Sequence, residues 1–129
     1  MNRTTARITT ATLALGFAVS TATPALANAD DVIHRGGWSG SSDWKLKASP
    51  EDGRIEVEGE VDSNVKGQTW RWRILHDGGV SARGQATTVA PSGSFEVRRT
   101  VVNAAGTDRI GWRARNRATG GFCRGSVRF

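Results

Sequence analysis

From Asp43 onward the chain repeats one motif: a short run in which apolar and polar residues alternate, then a cluster of turn formers. Trp44, Leu46 and Ala48 alternate with Lys45 and Lys47; Ile55, Val57, Gly59 and Val61 alternate with Glu56, Glu58 and Glu60. Trp70, Trp72 and Ile74 face one way, and Arg71, Arg73 and Leu75 the other. A weaker run, Val80 to Val89, is rich in Ala, Thr and Ser. Phe95, Val97 and Val101 alternate with Glu96, Arg98 and Thr100, while Ile110, Trp112 and Ala114 alternate with Arg109, Arg113, Arg115 and Arg117. Last, Cys123, Gly125, Val127 and Phe129 alternate with Phe122, Arg124 and Arg128. A period of two is the mark of a half-buried strand. Pro50-Glu51-Asp52-Gly53, Asp77-Gly78-Gly79, Ala90-Pro91-Ser92-Gly93 and Ala118-Thr119-Gly120-Gly121 supply the turns between runs. Arg99 falls on an apolar face, which predicts a bulge near Arg98-Arg99 or a strand edge where Arg99 escapes to water.

These runs predict an all-β fold with seven strands, and no segment holds helical spacing for three turns. Seven short antiparallel strands suggest a two-sheet sandwich of immunoglobulin or fibronectin-III type, with a small β-barrel as the alternative. Trp72, Trp112, Val57 and Phe95 are expected near the centre of the core. Residues 28–42 carry Gly36, Gly37 and Gly40 without periodicity and read as an irregular lead-in, so the sandwich domain is expected over residues 43–129.

The first 27 residues read differently. Arg3 and Arg7 precede an uncharged apolar stretch from Ile8 to Val19, and small residues lead to Ala25-Leu26-Ala27. That order predicts a secretory signal peptide cut after Ala27, and an apolar run too short to span a bilayer. The protein is therefore expected to be secreted. Removing this leader leaves 16 cations, 13 of them Arg, against 12 carboxylates. Arg suits bidentate contact with carboxylate or phosphate, and a positive balance favours anionic partners.

Catalytic and metal chemistry find little support. His34 lies in the lead-in and His76 at a turn beside Asp77, and both read as solvated residues. No Cys/His cluster has metal spacing, no glycine-rich phosphate loop opens a helix, and no cofactor is implied. Glu56, Glu58 and Glu60 read as the wet side of a strand, partnered by Lys45 and Lys47 across a hairpin. The candidate binding residues are Arg71, Arg73, Arg113, Arg115, Arg117, Arg124 and Arg128. If the third and sixth runs are sheet neighbours, these seven share one outer face, with the Glu-rich strand on the other sheet. So many like charges would repel unless Glu from elsewhere, or a ligand, interleaves. The chain then reads as a non-enzymatic module for an anionic cell-envelope polymer, an acidic glycan or an acidic protein. Nucleic acid is disfavoured, because no exposed aromatic platform interleaves those Arg. The rival readings are an extracellular protease inhibitor, a small-ligand carrier and, with few residues to support it, an enzyme; ordinary solubility charge would also explain the Arg.

Cys123 is the single Cys of an expected exported chain. Alternation places it inward, as a buried thiol; an intermolecular disulfide linking a dimer, or a reactive thiol, are the other readings. The blocks Ser39-Gly40-Ser41-Ser42-Asp43-Trp44-Lys45-Leu46-Lys47, Pro50 to Glu58 and Ala90 to Arg99 resemble a group of small secreted actinobacterial proteins of unassigned function. The resemblance covers nearly all of the chain after the leader and names no activity. It implies a second Cys just before the first block, where this chain has Gly37 or Trp38, and hence a lost disulfide to Cys123, with Trp38 packing in its place.

Overall fold

The computed structural model describes residues 30–37 and 42–129. The predicted leader and Trp38 lie outside the described residues. Eight strands follow in chain order: β1 (Val32–Gly37), β2 (Asp43–Glu51), β3 (Arg54–Asp62), β4 (Thr69–His76), β5 (Gly79–Thr87), β6 (Ser94–Val102), β7 (Arg109–Asn116) and β8 (Phe122–Arg128). All pairings are antiparallel, and they build two four-stranded sheets of order β1-β2-β3-β6 and β5-β4-β7-β8. Neither sheet closes on itself, so the barrel alternative is not realised. The third and sixth runs of the sequence are β4 and β7, and they are neighbours as expected. No helix among the described residues is long and apolar enough to cross a membrane.

The apolar set of each strand faces the other sheet. Trp44, Leu46, Ala48, Ile55, Val57, Val61, Trp70, Trp72, Ile74, Phe95, Ile110 and Trp112 are all buried, and the four residues expected at the core centre are among them. The indoles fit because glycines lie under them. A Cβ on Gly59 would stand 2.4 Å from the Trp112 ring, and one on Gly84 2.8 Å from Trp72. Trp44 lies between Gly36 and Gly125, where a Cβ would stand 2.6 and 2.2 Å from its ring. These approaches are shorter than any van der Waals contact, so a side chain at each position would displace the ring. Trp72 and Trp112 stack at 6.3 Å with 21° between planes.

Two local expectations need correction, and a third is decided between its alternatives. The lead-in is not irregular throughout: Val32–Gly37 pairs with β2 from Val32↔Ala48 to Gly37↔Asp43. This strand escaped notice because it is an edge with little burial on either side, so backbone pairing rather than apolar alternation holds it. His34 belongs to it, resting edge-on against Trp44 at 4.9 Å and donating from Nδ1 to the Ser126 carbonyl at 3.1 Å. Next, of the two readings at Arg98-Arg99 the bulge is absent, since pairing with β3 runs without interruption, and the edge reading holds: β6 is an outer strand of its sheet and Arg99 is exposed. Arg99 keeps its inward register, and its guanidinium covers the Trp72 ring at 5.1 Å, so the charge stays wet while the arm shields the indole. The bulge lies instead between Ile74 and Leu75 against β5. Finally, Pro50 and Glu51 are strand residues; the turn is Asp52-Gly53, with φ of 48° and 76°, the same form as Asp77-Gly78 at 48° and 88°. Both are Asp-Gly hairpin turns, which require positive φ at two successive residues.

Candidate functional site

The outer face of the β5-β4-β7-β8 sheet carries the candidate residues, and strand register sets their order. Arg83, Arg73, Arg113 and Arg124 stand opposite one another in one row across all four strands. The adjoining row is Gln85, Arg71, Arg115 and Phe122. On the other side, Leu75, Gly111 and Ser126 form a low row, and beyond it Arg109 stands opposite Arg128. Arg117 follows the end of β7 and donates to Gln85 Oε1 at 3.4 Å. With strands ~4.8 Å apart and alternate residues ~6.8 Å apart, the basic area measures about 14 by 20 Å. All seven expected Arg therefore share one face. Five of them are contiguous, while Arg117 and Arg128 lie toward opposite ends. Sequence reasoning missed Arg83 and Arg109 as members, although the alternation of their runs points both outward.

Charge compensation divides the two sheets. On the outer face of the other sheet, Lys45 reaches Glu58 at 2.7 Å and Glu60 at 3.2 Å, Lys47 reaches Glu58 at 3.5 Å, and Arg98 reaches Glu58 at 3.0 Å and Glu96 at 2.9 Å. Four carboxylates, Glu56, Glu58, Glu60 and Glu96, thus meet three cations, and that face is nearly neutral rather than acidic. Glu58 is not on a wet side either: it is only 3 % exposed. Its burial would raise its pKa, but Lys45, Lys47 and Arg98 outweigh that and hold it below the usual carboxylate range. By contrast, among the described residues no carboxylate pairs with Arg71, Arg73, Arg83, Arg109, Arg113, Arg115, Arg117, Arg124 or Arg128. Directly opposed like charges destabilise a sheet. The Lys and Arg ion pairs gather on the other sheet, and among the described residues the one carboxylate that borders this face is Asp77, at the edge of a depression that Arg109 also bounds.

Two depressions lie on the basic face. One, of about 450 Å³, is lined by Arg71, Arg73, Arg113, Arg115, Phe122 and Arg124, with Ala114 and Cys123 beneath. The second, of about 660 Å³, follows the low row of Leu75, Gly111 and Ser126 and is bounded by Arg109, Asp77 and His34. Arg113 and Arg124 line both. An aromatic ring does stand among these Arg: Phe122 is 61 % exposed and opposite Arg115 in register. The expectation that no exposed aromatic interleaves them is therefore corrected. Cys123, on the inner face beneath, is a free buried thiol, and burial pushes its pKa up to about 11.

His76 is not a merely solvated residue. Its Nε2 donates to Oδ1 of the fully buried Asp108 at 2.5 Å, and the Ala104 amide donates to the same oxygen at 3.2 Å. The His76 bond is the main reason the Asp108 carboxyl is held below its ordinary range. Asp77 Oδ2 lies 3.4 Å from the same His76 nitrogen. These three groups could in principle offer ligands to a metal. Two atoms bound to one tetrahedral zinc at ~2.0–2.1 Å lie roughly 3.3 Å apart, so the 2.5 Å pair is closed on a proton. Its structural role is plain: it ties the β4–β5 hairpin to the loop before β7. The sequence offered only a loop Asp here and no signal of its burial.

Comparison with protein-family models, with curated proteins and with solved structures finds no match to this chain.

Proposed function

We propose that the protein is a secreted, non-enzymatic binding module that recognises an anionic extracellular partner through the Arg-rich outer face of β5-β4-β7-β8. The partner class is a cell-wall polymer, an acidic glycan or an acidic protein. One observation carries this reading: four Arg stand opposed across four strands, and among the described residues no carboxylate pairs with any of them. Exported location rests on the leader pattern of residues 1–27. The domain type is inferred to be immunoglobulin or fibronectin-III-like. Supporting this, β2, β3 and β6 are consecutive as strands A, B and E are, and β4, β7 and β8 as C, F and G are. On this scheme β1 is an added edge strand, and β5 sits beside β4.

Co-sedimentation with purified actinobacterial cell walls at low and high salt tests the reading. Binding that salt abolishes, and that Arg113→Glu with Arg115→Glu removes, is expected. Absence of binding at low salt would reduce the Arg face to solubility charge.

A further inference from the structure

Resting on that anion-binding reading, the geometry points to a linear polyanion that also carries flat rings, a single-stranded polynucleotide, as the ligand of this face. Three features argue for it together. First, the basic area is extended rather than focal. The two depressions share Arg113 and Arg124 as a common wall, so guanidinium groups run from the first depression into the second, which Arg109 closes at its far side beside the carboxylate of Asp77. A lone small anion would need only two or three of these groups, whereas a chain with repeating charge engages them in sequence. Second, the cations are all Arg; no Lys lies on this sheet. Guanidinium groups bind phosphate oxygens in a bidentate fork and also stack on π faces, which an ammonium does not. Third, Phe122 presents an exposed ring in the same row as Arg71 and Arg115, on the wall of the first depression. An apolar ring among guanidinium groups gains nothing from a polyphosphate or a sulfate. It gains from a base stacked on it while the backbone runs along the Arg. A positively charged surface that tracks a backbone, with an aromatic ring beside it, is the combination that sequence-tolerant single-strand binders use.

The test is fluorescence-anisotropy binding of the purified protein to two labelled polymers matched in charge number: a mixed-sequence oligodeoxynucleotide and linear polyphosphate, which has no rings. Heparin serves as a competitor. The oligonucleotide is expected to bind more tightly than polyphosphate. Its affinity should fall with salt at a log–log slope of about −3.5 if Arg71, Arg73, Arg113, Arg115 and Arg124 each meet a phosphate. Phe122→Ala should weaken oligonucleotide binding on the order of ten-fold and leave polyphosphate binding unchanged, whereas Phe122→Trp should retain it. Phe122 is exposed, so its truncation does not open the core. Equal binding of the two polymers, unaffected by Phe122→Ala, would overturn the polynucleotide assignment while leaving the anion-binding face intact. Heparin preferred over the oligonucleotide would overturn it in favour of an acidic glycan. Failure of both labelled polymers to bind at low salt would overturn the polynucleotide assignment, and the anion-binding reading would then stand or fall with the cell-wall co-sedimentation.

Discussion

Individual side chains in this protein are legible from alternation until two of them must share space or charge. Trp112 reads as core from its run, but nothing in the run says that Gly59 must be bare to receive it. Gly59→Ala puts a methyl 2.4 Å from the Trp112 ring in a packed interior. It is expected to destabilise the fold by roughly 1–3 kcal/mol through overpacking, read as a lower urea midpoint at unchanged slope. Glu58 shows the same limit for charge. Its position in an alternating strand suggests water, yet three cations converge on it and bury it. Its pKa is lowered on folding, so the stability it contributes is present above the ordinary carboxylate value and is lost as pH falls through the folded one. Glu58→Gln should therefore cost about 2 kcal/mol at pH 7 and progressively less below pH ~4, where the two urea midpoints converge. Asp108 shares that direction, so the unmodified fold should weaken on the acid side for both reasons. Cys123, with its thiol pushed up to about 11, should resist an aromatic disulfide reagent at pH 8 and react at once in denaturant.

Elements were read correctly where one face is buried and missed where neither is. Strands β2 to β4 and β6 to β8 announce themselves by period two, whereas β5, with no fully buried position, shows only as a run rich in Ala, Thr and Ser between turns. β1 does not, because an edge strand with four of six positions exposed and none buried has no apolar face to display. Arg99 is the converse case: a misfit in the pattern that suggests a bulge or a strand edge is met by the edge, where the side chain is long enough to lie over Trp72 and still reach water. Within β7, Arg113 stands between Arg73 and Arg124, and Arg115 faces Arg71. Turning these two into Glu replaces repulsive cross-strand pairs with attractive ones. Arg113→Glu with Arg115→Glu is expected to raise stability by about 0.2–1 kcal/mol per pair at low salt while abolishing polyanion binding. Thermal unfolding and anisotropy on the same sample would check both. A loss of stability would show that the Arg are held by partners within the sheet.

Across the whole molecule, the two sheets differ in how their outer charges are compensated. One neutralises itself with Glu, Lys and Arg; the other keeps its guanidinium groups unpaired. Such a molecule should gain thermal stability as salt rises from low ionic strength, because screening weakens the repulsion on the bare face. A bound polyanion should raise it further by mass action. A melting temperature that falls with salt over that range would show that attractive pairs dominate instead. What the chain's own order of residues settles is the all-β class, the identity of most core positions and the inward or outward sense of each Arg, because these depend only on a local period of two. What tertiary structure alone decided is adjacency: that Arg83 joins Arg73, Arg113 and Arg124 in one row, that Phe122 stands beside Arg115, that Glu58 collects three cations and that His76 finds Asp108. Those groupings join residues up to 51 positions apart, as Arg73 and Arg124 are, and they follow from strand order and register, which are properties of the two sheets packed together and not of any one run.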